Sequence, residues 1–452
     1  MVYFIGIRGW GTTALAQVMK ARGVYVMGSD TQEKFMTGYI LEKANIKVLS
    51  PFDSNNIPLN DKIEYVVVSG AYYLEGKTPT NPEVLEILSR NIPLLTYSQA
   101  LGNVSREFES TLAVAGSHGK STTSALLTYT LQELGQNPFG VIGAFVTQFG
   151  GNARIGDKNS KYLVVEADEY QNHFLDLTMG GLIILNVDYD HPDFFETKES
   201  YYQAFINVID NLPLDKPLIV NGDDENINNY ILPNIQNSSR NIIKFGFNKD
   251  NNITLDEANN IIVEGITYNI LNLAIAGKHN RLNALSCVGL LYSLGYDINS
   301  IIDAMFGFRG TQRRLEYKGS TSTGVAIIDD YAHHPTEIMA GIQALREKYP
   351  AKNIHCVFQP HTFSRAQMLL KEFGQALSEA DHIYLLPIYA SARESIGEVK
   401  SEDIMEYIVS PNAKLYADSA DLIKDLNLIE GDDNIIVTMG AGDVWKITKD
   451  LI

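Results

Sequence analysis

Among the residues able to do chemistry, the densest run is Gly116-Ser117-His118-Gly119-Lys120-Ser121-Thr122-Thr123. Glycines let backbone N–H groups face an anion at a helix start, a lysine reaches outer phosphates, and Ser121 offers a hard oxygen to Mg²⁺. That is the chemistry of a phosphate cradle. The run is a short form of G-x-x-x-x-G-K-[ST], with Val114 where the first glycine would stand. Its setting carries the reading: the apolar run Leu112-Ala113-Val114 predicts a strand before it, and Ser124 to Leu134 predicts a helix after it.

A second candidate cradle lies near the N-terminus. Gly9, Gly11 and Ala14 fit G-x-G-x-x-[GA], and Gly6 opens the same turn after the strand Val2–Ile5. Asp30 falls where an acid would take a ribose hydroxyl. This pattern suits NAD or another diphosphate such as UDP equally. Two cradles in one chain point to two nucleotide ligands, more than a plain dehydrogenase needs.

Polar clusters follow other apolar runs. Glu166-Ala167-Asp168-Glu169 comes after Tyr162–Val165, and Asn186-Val187-Asp188-Tyr189-Asp190-His191 after Leu182–Leu185. Carboxylates at strand C-termini lie where α/β sheets bind ligands, and with Ser121 they suit Mg²⁺. His191 is a candidate for a second metal or a phosphate. Gly277–Asn283 opens a helix, Arg313-Arg314 follows Gly310, Asp329–Pro335 follows Val325–Ile328, and Gln359–Arg365 follows His355–Phe358.

The elements that must position these groups alternate strand and helix. A parallel-sheet α/β fold is expected. At 452 residues the chain has room for three domains. Their boundaries are set at 1–105, 106–310 and 311–452, with the polar stretch Asn103–Glu109 as the first separator and Gly307–Gly310 as a hinge. The Asn-rich patch Asn248–Asn260 reads as hairpins rather than core. With 54 acidic against 36 basic residues the net charge is −18, which excludes a sequence-independent nucleic-acid binder. Cys287 and Cys356 read as buried thiols. The N-terminus enters a strand at once and no apolar run nears 18 residues, so a cytoplasmic protein with no membrane insertion is expected.

Taken in order, Gly6–Gly11, Gly116–Thr123, Glu166–Glu169, Asn186–His191, Gly277–Asn283, Arg313-Arg314, Asp329–Pro335, Gln359–Arg365 and Gly440–Asp443 resemble the Mur ligase family of peptidoglycan synthesis. The resemblance implies three α/β domains: a Rossmann-like domain for a UDP-sugar, a central P-loop ATPase, and a C-terminal domain for the amino acid. It implies ATP as co-substrate, with Gly116, His118, Gly119, Lys120, Ser121, Thr122, His279, Asn280, Asn283, Arg314 and Asp330 around it. Mg²⁺ would fall to Ser121, Glu166 and His191. Gly6, Gly9, Gly11, Asp30, Ser69 and His118 would face the UDP-sugar, and Tyr331, His333 and Arg365 the amino acid. Lys120, Glu166, His191 and Arg314 would be catalytic. The likeness is nearest to the branch joining L-alanine to UDP-N-acetylmuramate. Two alternatives are a ligase that recycles a tripeptide onto the same sugar nucleotide and a non-catalytic UDP-sugar sensor. The segment Tyr201–Phe205 has no lysine, Thr362 stands where some members have arginine, and Tyr170 with Asn172-His173 departs from the family pattern.

Overall fold

The computed structural model describes residues 1–59, 62–73, 78–192, 194–237, 239–390 and 397–452. Among the described residues, three sheets form. The first contains β1 (Val2–Ile5), β2 (Val26–Ser29), β3 (Lys47–Leu49), β4 (Tyr65–Val68) and β5 (Leu94–Thr96), in the order β3-β2-β1-β4-β5. All its pairings are parallel. Helices α1 (Trp10–Ala21), α2 (Met36–Lys43), α3 (Pro82–Ser89) and α4 (Tyr97–Ser105) belong to this part of the chain. β1 is buried along its whole length, as a strand covered on both faces must be. Strand order turns at β1, where the chain leaves the sheet through Gly6–Gly11, the place where open α/β sheets take ligands.

The second sheet holds β6 (Ser110–Ala115), β7 (Phe139–Val146), β8 (Gly151–Arg154), β9 (Tyr162–Glu166), β10 (Gly181–Ile184), β11 (Leu218–Asn221), β12 (Ile242–Phe245), β13 (Ile253–Leu255), β14 (Asn260–Val263) and β15 (Ile266–Ile270). β6 runs between β10 and β9, parallel to both. Its helices include α5 (Lys120–Glu133), α6 (Lys198–Asn211), α7 (Lys278–Ser293) and α8 (Ile298–Met305). The third sheet is β16 (Glu316–Ser320), β17 (Ala326–Asp330), β18 (Asn353–Phe358), β19 (His382–Leu385), β20 (Ala413–Leu415) and β21 (Asn434–Met439), in the order β16-β17-β21-β18-β19-β20. Helices α9 (Pro335–Lys348) and α10 (Phe363–Met368) follow β17 and β18.

Two compact units emerge. One comprises Met1–Asp188, Lys198–Leu273 and Leu282–Arg309, and the other Tyr189–Thr197, Ala274–Arg281 and Gly310–Ile452. The first unit thus carries two sheets, and α1 joins them. Gln17 Nε2 donates to Asn152 Oδ1 at 3.1 Å, and Asn152 Nδ2 donates to the Trp10 carbonyl at 2.6 Å. At the other end of α1, Arg22 pairs with Glu107 at 2.9 Å and lies over the Phe108 ring. Gly307 accepts from Gln148 Nε2 and Arg309 N–H donates to Gln148 Oε1. Those two bonds tie the expected hinge to the first unit as far as Arg309. The division falls at Gly310, whose φ of +87° suits glycine.

Within the expected separator Asn103–Glu109, α4 runs on to Ser105, and Val104 and Phe108 are buried. The Asn-rich patch does supply β13 and the turn of the β13–β14 hairpin, yet its Ile253 is buried in the core, beside Ile261 and Val263 just beyond it. Few apolar residues suffice when alternation puts them on one face. Cys287 and Cys356 are buried free thiols, as expected. No helix among the described residues is long and apolar enough to cross a membrane.

Candidate active site

Register places the P-loop between two ligand-bearing strand ends. Val114 pairs with Glu166 on one side and Ala115 with Ile184 on the other, so the loop rises beside Glu166 and the Asn186 turn. Gly119 has φ +84°, and a Cβ there would lie 2.9 Å from Asn283 Oδ1. Asn186 clamps the loop: its Oδ1 accepts His118 N–H at 2.7 Å, its Nδ2 donates to the His118 carbonyl, and its own carbonyl accepts Ser117 N–H. Ser117 Oγ accepts Asp188 N–H at 2.8 Å and meets the Tyr201 hydroxyl at 2.8 Å. His118, expected to face substrate, has its Nε2 3.1 Å from Asp188.

Lys120 Nζ is held by the Gly116 carbonyl at 2.6 Å and by both Glu169 oxygens at 2.9 and 3.1 Å. Burial pulls its pKa down, but Glu169, Asp168 and Glu166 outweigh that and raise it, so the ammonium stays charged. Glu166 accepts the Gly143 N–H, and a Cβ on Gly143 would come within 2.8 Å of the Glu166 carboxylate. Ser121 Oγ has no partner among the described residues, while Thr122 is buried behind it.

The N-terminal cradle is built differently. Gly6 has φ +79°, and a Cβ there would lie 2.6 Å from the Tyr72 ring and 2.8 Å from Ser69 Cβ. Gly9 starts α1 in extended conformation without a side-chain cap. A Cβ on Gly11 would lie 2.6 Å from the Tyr97 ring. Asp30 is buried, and its oxygens accept Arg8 N–H at 2.7 Å and Thr31 N–H at 2.8 Å. Its first task is to tie the end of β2 to the loop. Ser69 Oγ accepts Ala71 N–H at 3.4 Å.

In the second unit, polar residues gather after β17 and β18. Arg365 grips Asp190 through Nε and Nη2 at 2.9 to 3.1 Å, with both side chains buried. Burial opposes the Asp190 charge, but Arg365, His191 and His333 prevail and hold its carboxyl well below the usual range. His191 has φ +59° and its N–H donates to Asp190 Oδ1. Tyr331 lies beneath the guanidinium groups of Arg313 and Arg314. Arg314 also reaches Glu337 at 3.3 Å. His333 Nδ1 donates to the Tyr331 carbonyl, and burial drives its pKa down to about 3, leaving Nε2 an acceptor. Asp330 accepts Ala332 N–H and Leu315 N–H, and burial raises its pKa to about 7. At the start of α7, His279 is neutral for the same reason, at about 4, and Asn280 Nδ2 donates to the Ala276 carbonyl.

The structure therefore brings Gly116–Thr122, Glu166 and Asn283 together in the first unit, and Arg314, Asp330, Tyr331, His333 and Arg365 in the second. Sequence reasoning missed Asn186 as the P-loop clamp, Asp190 as the partner of Arg365, and the packing of Tyr97 on Gly11. The Thr96-Tyr97-Ser98-Gln99 run, a capping-box spacing, was the available sign that a helix begins at Tyr97.

Family models match three consecutive stretches: the Mur ligase family catalytic domain at residues 1–109, the Mur ligase middle domain at 114–291, and the Mur ligase glutamate ligase domain at 313–442. The UDP-N-acetylmuramate–L-alanine ligase of Desulfitobacterium hafniense is 34% identical across 100% of this chain and 99% of its own length. The chain belongs to the Mur ligase family. The ligase of the same name from Streptococcus gordonii is 36% identical over 98% of this chain and 95% of its own. The crystal structure of the UDP-N-acetylmuramate–alanine ligase from Thermotoga maritima superposes with a TM-score of 0.79 at 25% identity, covering 100% of this chain and 97% of that one. The three mostly parallel sheets are those of a Mur ligase.

Proposed function

We infer that this Mur ligase joins L-alanine to the lactyl carboxylate of UDP-N-acetylmuramate, driven by ATP, in peptidoglycan synthesis. The observation that carries the inference is likeness along the whole chain to two ligases named for that reaction. The two anion cradles in one compact unit give it a chemical basis. In this reading residues 1–105 take the UDP-sugar, 106–310 the ATP and 311–452 the amino acid.

A carboxylate does not condense with an amine in water, because its oxygen is a poor leaving group. Transfer of the γ-phosphoryl group from ATP to the lactyl carboxylate gives an acyl phosphate and ADP. The amine of L-alanine then attacks the acyl carbon, and inorganic phosphate leaves. The protein's share is positioning and charge neutralisation. Lys120, kept protonated by its acidic neighbours, turns from Glu169 to the outer phosphates. Backbone N–H groups of Gly119 to Ser121 receive the inner ones. Ser121 Oγ and the Glu166 carboxylate are hard oxygen donors and suit Mg²⁺, with His191 for a second ion. Mg²⁺ held there supplies further neutralisation of phosphate charge. Tyr331, His333 and Arg365 are assigned to L-alanine, and Arg314 to the phosphate charge.

The test is ADP release by the purified protein with UDP-N-acetylmuramate, ATP and Mg²⁺, offering each amino acid and then the tripeptide. L-Alanine is expected to support turnover. Consumption of the tripeptide alone would assign the recycling reaction instead, and binding without turnover would leave a sensor.

A further inference from the structure

Tyr97 belongs to none of the motifs above, yet its position is tightly fixed. Thr96 Oγ1 accepts Gln99 N–H at 3.2 Å while Gln99 Oε1 accepts Thr96 N–H at 3.0 Å. This reciprocal pair locks the backbone at the first residue of α4, which is Tyr97. From there the phenol crosses to the first turn of α1. A Cβ on Gly11 would lie 2.6 Å from Tyr97 Cζ and 2.9 Å from its hydroxyl oxygen. The ring therefore rests against the uncapped helix start of the N-terminal cradle.

Its hydroxyl has no hydrogen-bond partner among the described residues, and the side chain is only partly covered. Burial, with the carboxylates of Glu166 and Asp168, pushes its pKa above the ordinary phenol range. The group stays a neutral donor throughout any assay range. A phenol at this place has a further electrostatic use. Against Gly11 a neutral phenol can turn the positive end of its O–H dipole to an anion in the glycine cradle, where one more carboxylate would repel it.

We propose that Tyr97 is a substrate-contacting residue whose hydroxyl donates a hydrogen bond to the diphosphate of the bound sugar nucleotide. The proposal rests on the reading that the Gly6–Gly11 loop holds that diphosphate, and it adds the group that completes the cradle from α4. Diphosphate is favoured over the lactyl carboxylate because the hydroxyl lies against Gly11, at the turn whose N–H groups face a phosphate.

Tyr97→Phe removes the hydroxyl and keeps the ring over Gly11. UDP binding to the full-length wild type and variant is measured by calorimetry, together with KM for each of the three substrates. A hydrogen bond to a charged group predicts about tenfold weaker UDP binding and about tenfold higher KM for UDP-N-acetylmuramate. KM for ATP and for L-alanine, and kcat, stay within about twofold. A merely structural tyrosine would lower kcat or move all three KM values together. UDP affinity unchanged in a wild type that binds UDP overturns the Tyr97 assignment alone. A wild type that does not bind UDP overturns the glycine-loop reading beneath it.

Discussion

The first unit holds two glycine turns at the starts of two helices, and they are furnished in opposite ways. The P-loop at α5 has a lysine, a Ser121 hydroxyl without a partner among the described residues, and three nearby acids: Glu166, Asp168 and Glu169. The loop at α1 has no lysine between Gly6 and Thr13, and tyrosine rings press on Gly6 and Gly11. Its acid, Asp30, accepts the Arg8 N–H of the loop and the N–H of its own neighbour Thr31. Charge that can be moved and neutralised belongs where phosphate is transferred. On the proposed function, tyrosine walls, backbone N–H groups and an Arg8 already bonded to the Thr31 and Glu33 carbonyls are enough where phosphate is only held. The difference teaches that glycine spacing marks an anion site, while the side chains around it decide between reaction and retention.

The comparison yields separable expectations. Lys120→Ala should lower kcat by some hundredfold to about a thousandfold, since one preorganised charge at the transition state is worth roughly 3–4 kcal/mol. UDP affinity by calorimetry should remain unchanged, and a parallel loss there would show the two loops to be one site. Gly143→Ala comes next. Its Cβ would sit 2.8 Å from the Glu166 carboxylate and must displace it. A fall of about a hundredfold in kcat, with a higher Mg²⁺ requirement in titrations, is expected by the geometric sensitivity of such sites. Normal Mg²⁺ dependence would release Glu166 from its metal role.

Gly11→Ala addresses the other loop. The new Cβ would strike the Tyr97 ring at 2.6 Å, so KM for UDP-N-acetylmuramate should rise on the order of tenfold with kcat little altered. A loss confined to kcat would contradict a holding role. Glu169→Gln should have the smallest effect at neutral pH. Without that carboxylate the burial of Lys120 is less opposed, and its raised pKa moves down. Activity should then fall off at lower alkaline pH than in the wild type, as a pH–rate profile would show. Superimposable profiles would mean that Glu169 does not control the lysine.

Much of this was legible in the chain. Gly116–Thr123 and Glu166 carry their chemistry in their types and order, and the register of β6 with β9 sets them side by side as strand-end logic requires. Strands such as Tyr65–Val68 declared themselves by continuous apolar runs. Less legible were residues whose partners are distant in sequence. Arg365 has a buried partner in Asp190, 175 residues away, which no local spacing announces. His118 looked like a ligand contact, and Asp188 lies 3.1 Å from its ring. Composition also misled: the Asn-rich patch buries Ile253, because β13 pairs with β14, whose Ile261 and Val263 alternate onto one buried face.

By itself the sequence determined the family, the order of the anion-binding turns and the residue types that can transfer a phosphoryl group. Those depend on local spacing, which a chain carries without folding. The tertiary structure decided which of these groups are already engaged and which stay open. It tied Asp30 to Arg8, set Glu169 on Lys120 and brought Tyr97 from α4 onto α1, because hydrogen-bond satisfaction and packing act between segments far apart along the chain.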